Sequence, residues 1–166
     1  MTMKVLILGI GNLLLRDESV GIHAVNLLAE RYQNNDQVEI VDGGTAGMEL
    51  LDWLSKREYV IFVDAVLTGG PAGSVITLHN DEIPAMLSTK ISPHQLGLSD
   101  LLGALKLLDE SPKHQFLVGI VPADTSPGLE MSKVVKQALP TMIEKVISYL
   151  IEIGIHPTSK RVSPCV

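Results

Sequence analysis

A chain of 166 residues has room for one domain with a sizeable core, and 46% hydrophobic against 19% charged residues argues against a disordered or fibrous chain. The formal net charge of −6, with Lys and Arg scattered rather than striped among aromatics, argues against nucleic-acid binding. A single cysteine, Cys165, excludes an internal disulfide framework and a thiolate metal cluster.

Residues 4–10 form a continuous apolar run ending in glycine, which suits a central strand buried on both faces rather than a signal peptide. From 19 to 32, Ile22, Val25, Leu28, Ala29 and Tyr32 recur at helical spacing. Residues 38–41 make a second strand that ends at Asp42, Gly43 and Gly44, and Thr45 is a candidate cap for a helix carrying Met48, Leu51 and Leu54. A third, strongly apolar strand covers 59–66. The glycine- and proline-rich turn at 69–73 is too short for a crossover helix, so the strand at 74–78 is expected to run antiparallel to its predecessor. A loop over 80–91 leads to a helix from about Pro93 to Leu108 and a last strand at 116–121. Ser132 is expected to cap a closing helix that runs to about Ile153, in which Pro140 predicts a kink or a break one turn earlier. The expected fold is a single-domain, three-layer α/β fold over residues 1–154, with a twisted, mostly parallel mixed sheet flanked by helices. Residues 155–166 read as a flexible tail. No run of about 18 apolar residues is present, so no membrane span is expected, and the default location is the cytoplasm.

Four polar motifs stand at the ends of apolar runs: GIGNLLLRDESVG at 9–21, DGGTAG at 42–47, Asp64 closing YVIFVDA, and SPHQLG at 92–97. If the runs are parallel strands, Glu18, Asp42, Asp64 and His94 face one crevice at their carboxyl ends, where open α/β sheets bind ligands. Ser92, Pro93 and Gln95 form a helix-start pattern, which puts His94 in the first turn. The positive end of the helix dipole keeps an imidazole neutral there, as a metal requires. Carboxylates with one imidazole suit Zn, Ni, Fe or Mn. Each residue also has a plainer reading. Asp17 and Glu18 can serve a helix N-terminus, Asp42 and Asp64 can cap turns, and His94 can be only a polar residue at a helix start.

Other schemes fit less well. The glycine-rich turn invites a dinucleotide, but Leu14 stands where the third glycine belongs, and acids follow where pyrophosphate would sit. No GxSxG elbow is present, and Cys165 lies in the expected tail. His23, His79, His114 and His156 read as surface residues, and Met48 as core.

In order along the chain, GIGNLLLRDESVG, VDGGTAGMELL, the strand-ending Asp64 and KISPHQLGLSDLL resemble the hydrogenase maturation proteases. The DGGTAG and HQLG forms look closest to the branch serving membrane-bound uptake hydrogenases. The resemblance implies an endopeptidase that removes a C-terminal peptide from the large-subunit precursor of [NiFe] hydrogenase after nickel insertion. It implies metal ligation by Glu18, Asp64 and His94, with nickel supplied by the precursor and no organic cofactor. Asp42 matches a family aspartate linked to function and is a candidate catalytic residue beside those three. Expected alternatives are a non-catalytic chaperone that inspects nickel loading and, more weakly, a dinucleotide-binding domain. The precursor is the expected partner, and the protein is expected to be a monomer.

Overall fold

Five strands, β1 (Val5–Ile10), β2 (Val38–Gly44), β3 (Tyr59–Ala65), β4 (Val75–His79) and β5 (His114–Ile120), form one sheet in the order β2-β1-β3-β5-β4. The structure, a computed structural model, describes residues 5–32, 36–89 and 96–159. The helices are α1 (Val20–Arg31), α2 (Leu51–Leu54), α3 (Glu82–Thr89), α4 (Leu96–Leu107) and α5 (Lys133–Glu152).

Strand periodicity decides the layers. Side chains alternate across a strand, so each apolar run feeds both faces. Val5, Ile7, Ile61, Val63, Phe116 and Val118 pack against α1 and α5. Leu6, Leu8, Val60, Phe62 and Leu117 pack against α2, α3 and α4 on the other side. The result is the three-layer α/β fold expected, with β1, β2, β3 and β5 parallel and β4 antiparallel.

The edge strand β4 runs antiparallel to its predecessor β3, as expected, without pairing with it. Its partner is β5. The two runs compete for the interior position, and burial decides. β5 is buried along most of its length, whereas no residue of β4 is fully buried, which fits an edge strand.

Four further local expectations change. Within the stretch read as a loop over 80–91, residues 82–89 form α3. The Glu82 carboxylate accepts the His79 N–H at 2.9 Å, Ile83 is fully buried, and Pro84 falls in the first turn, where a missing N–H costs little. Thr45 caps no helix, since a 3-10 turn at Met48–Leu50 leads into the four-residue α2. Met48 is exposed rather than core. Pro140 is exposed and does not break α5. Buried contacts before it (Val135, Leu139) and after it (Met142, Ile143, Val146) hold the helix continuous across the lost hydrogen bond. Beyond Gly154, Ile155 joins the core and Ser159 bridges Tyr32.

Candidate active site

The sheet reverses its winding between β1 and β3, which have their neighbours β2 and β5 on opposite sides. Ligands bind outside the carboxyl ends of the strands at such a point. Glu18, on the 3-10 turn Arg16–Ser19, and Asp64, near the end of β3, both lie there, and each is only 3% exposed.

Two close approaches bring Glu18 to the sheet. A side chain on Gly11 would collide with the carbonyl oxygen of Glu18. One on Gly21 would collide with the carbonyl oxygens of Val63 and Ile10. The first turn of α1 therefore rests directly on the ends of β1 and β3, and Glu18 is carried in with it.

That proximity perturbs Asp64. Its carboxyl is pushed well above the usual carboxylate range, first by burial and then by the negative charge of Glu18. The Ala65 N–H, donated to its Oδ1 at 2.8 Å, acts in the opposite direction. Two buried acids that oppose each other's ionisation suit a shared proton or a bound cation. A divalent ion would relieve both burial and repulsion, so the donors present fit one. Among the described residues no group of three metal-capable side chains occurs. His94 lies outside the described residues, as do Ser92, Pro93 and Gln95.

Glu18 lines a cleft of about 180 Å³ with Ile10, Gly11, Asn12, residues 44–46, Leu50, Leu98 and Leu101. Asp42 stands on the outer rim, opposite Gly9 in the β1–β2 register. It is exposed, and its Oδ1 accepts the Gly44 N–H at 2.9 Å, the local turn that an aspartate commonly makes. The structure thus gathers Glu18 and Asp64 and leaves Asp42 at the edge. A larger groove, of about 570 Å³, lies at the opposite end of the sheet beside Asn80, Lys106 and Lys113 and contains neither buried acid.

Asp17 has a role that the capping reading missed. Buried beside Glu18, its Oδ2 accepts the N–H groups of Ala123 and Asp124 at 2.8 and 2.9 Å and the Ser132 hydroxyl at 2.8 Å. Its Oδ1 accepts the Ser132 N–H at 2.7 Å. One carboxylate therefore fastens the Glu18 turn to the loop before α5. Asp17→Asn keeps one carbonyl oxygen but turns an amide N–H toward donors. A loss of about 2 kcal/mol is expected from chemical denaturation.

The raised pKa of Asp64 has a thermodynamic sign. Between the ordinary carboxylate range and its raised value, the folded state binds more protons than the unfolded chain. The group's contribution to stability therefore falls as pH rises through that window and is least favourable at neutrality. The substitution Asp64→Asn keeps an acceptor for the Ala65 N–H and removes the charge. It is expected to stabilise the metal-free protein at pH 7 by on the order of 1 kcal/mol, as removing functional-site strain commonly does. Its advantage should shrink as pH falls. Melting curves of both proteins from pH 5 to 8 check this, and an equal or lower melting temperature for the variant at pH 7 refutes it.

The sequence model of the hydrogenase maturation protease family matches residues 22–149, a span that includes Asp42, Asp64 and His94 and begins after Glu18. The chain is 43% identical over 155 residues to the hydrogenase 2 maturation protease of Escherichia coli K12, covering 93% of this chain and 94% of that one. It is 34% identical to the hydrogenase expression/formation protein HupD of Thiocapsa roseopersicina, over 92% of this chain and 70% of that one. The solved structure of the hydrogenase maturating endopeptidase HybD from E. coli matches with a TM-score of 0.90 at 41% identity, over 95% of this chain and 98% of that one. The [NiFe] hydrogenase maturation protease HybD from Thermococcus kodakarensis matches at 0.73 and 29% identity, over 89% and 99%.

Proposed function

Because the chain belongs to the hydrogenase maturation protease family, we propose that it is an endopeptidase removing the C-terminal peptide of a [NiFe] hydrogenase large-subunit precursor after nickel insertion. The buried Glu18–Asp64 pair is the observation that carries this reading. Two buried carboxylates, one of them lining the cleft, make a poor resting place for each other and a good one for a divalent ion arriving with the substrate. His94 would complete the set as a neutral nitrogen donor. Nickel is part of the precursor in this reading and not a resident of the protease, so metal occupancy of the precursor acts as the checkpoint. Carboxylate oxygens, with no thiolate among the described residues to retain a soft ion, favour transient capture. Among the described residues no helix is long and apolar enough to cross a membrane.

Asp42 is the candidate for handling the attacking water. Asp42→Asn preserves the Oδ1 acceptor for Gly44 and removes only the charge. Single-turnover cleavage is expected to slow by about 10²-fold, within the range for general acid–base groups, with melting unchanged. A lower melting temperature with normal turnover would make the residue a turn-former only.

The decisive experiment mixes the purified protein with nickel-loaded and nickel-free precursor and follows the large subunit by intact mass. Loss of a C-terminal peptide from the loaded form alone supports the reading. Stable binding of loaded precursor without cleavage would make the protein a checkpoint chaperone. Equal cleavage of both forms would remove nickel from the recognition.

A further inference from the structure

A cleft of about 180 Å³ is smaller than the roughly 300–1,000 Å³ of pockets that enclose whole small ligands. A stable protein–protein contact covers about 800 Å² on each partner, so a protein substrate must be held mainly outside the cleft. The rim carries large apolar side chains that the fold leaves uncovered. Leu13 and Leu14 are 46% and 64% exposed, immediately after Asn12 of the cleft wall, and Leu129 is 73% exposed on the neighbouring loop.

Leu14 is held in place by its backbone, and Leu13 and Leu129 are its neighbours on the two loops that it joins. Leu14 donates its N–H to the Asn12 side chain at 2.9 Å, and its carbonyl accepts the Gly128 N–H at 2.9 Å. The Arg16 N–H is donated to the Gly128 carbonyl at 3.1 Å, so the two loops run together as a short parallel bridge. Asp17 fastens the same pair of segments from beneath. Turning Leu14 inward would break that bridge.

Charge indicates the other half of the complement. In three described segments beside the site, 11–19, 42–50 and 122–132, the exposed acids are Asp42, Glu49, Asp124 and Glu130, and the one base, Arg16, lies 3.7 Å from Asp124. An apolar ridge set in an acidic surround fits an apolar patch ringed by lysine or arginine.

We propose that Leu13, Leu14 and Leu129 form a rigid docking ridge that holds an apolar, basic-rimmed surface of the precursor while Glu18 and Asp64 receive its metal. The proposal rests on the protease reading above for the identity of the partner. Its test is therefore built to fail separately. Precursor binding is titrated calorimetrically in a Glu18→Gln background that does not cleave, and cleavage is measured with Glu18 intact. Leu14→Ser and Leu129→Ser should each weaken binding and raise KM by about tenfold, the loss expected for an apolar side chain left unburied. In both, kcat and melting temperature should be unchanged. Leu107→Ser, at a residue 90% exposed at the far end of α4, is the control and should change nothing. KM should also rise with salt. Weakened binding by ridge variants of a protein that never cleaves would support the ridge while ending the protease reading. Normal binding and KM in the Leu14→Ser, Leu129→Ser double variant would overturn the ridge and leave the protease reading intact. A fall in kcat alone, or a wild-type dimer that the serines dissociate without affecting precursor binding, would overturn it as well.

Discussion

Glu18→Gln and Asp64→Asn are each expected to lower precursor cleavage by on the order of 10³-fold while the fold persists, a loss of the size seen when a charge-stabilising group is removed from an active site. The substitutions are nearly isosteric. They remove one of two mutually repelling charges from a buried site, so unfolding is not the expected outcome. Circular dichroism should be unchanged, and for Asp64→Asn the melting temperature should rise. Activity and stability then move in opposite directions, which a structural role for these acids would not produce. Wild-type cleavage by both variants would remove the carboxylate pair from the mechanism.

Gly21→Ala is expected to have the largest effect on stability. In an ordinary helix this change gains up to about 1 kcal/mol. Here the added methyl group meets the carbonyl oxygens of Val63 and Ile10, both backbone atoms of neighbouring strands, and neither can swing aside. Overpacking against backbone is expected to cost about 3 kcal/mol and so reverse the helical gain. For a domain of this size the melting temperature should fall by roughly 6–12 °C. Cleavage should fail with it, because displacing α1 carries Glu18 away from Asp64. An unchanged or higher melting temperature would show that the helix can stand off from the sheet without loss.

What was legible in the sequence was whatever local chemistry fixes. Continuous apolar runs ending in glycine or acid mark β1, β2 and β3, and parallel pairing puts Gly9, Asp42 and Val63 in one register at the edge. That is why Glu18 and Asp64 could be expected at one crevice once the runs were read as parallel strands. Long-range competition was not legible. β4 and β5 are each plausible neighbours of β3, and only their relative burial decides which lies inside. Asp17 looks like a helix-start acid because its true partners, Ala123, Asp124 and Ser132, are more than 100 residues away. The 80–91 stretch concealed α3 because Pro84 reads as a breaker unless the first turn is known to begin at Glu82. Leu14 has a physical lesson as well. It occupies the place of a dinucleotide-binding glycine, while the glycine needed for close helix–strand contact stands further on, at Gly21.

That helix–strand contact also sets how the protein can change over generations. Where Gly21 meets the strand ends there is no volume in which a side chain could vary, so substitutions there should be selected against whatever the substrate. Leu13, Leu14 and Leu129 lie on connections whose side chains touch little of the core, and can drift freely as far as folding is concerned. Recognition and assembly are therefore encoded in separable stretches of a short chain. A saturation-mutagenesis map scored for folding should be intolerant at 21 and permissive at 13, 14 and 129. Exchanging residues 12–15 together with 126–131 between relatives should transfer preference for a precursor onto an otherwise unaltered scaffold.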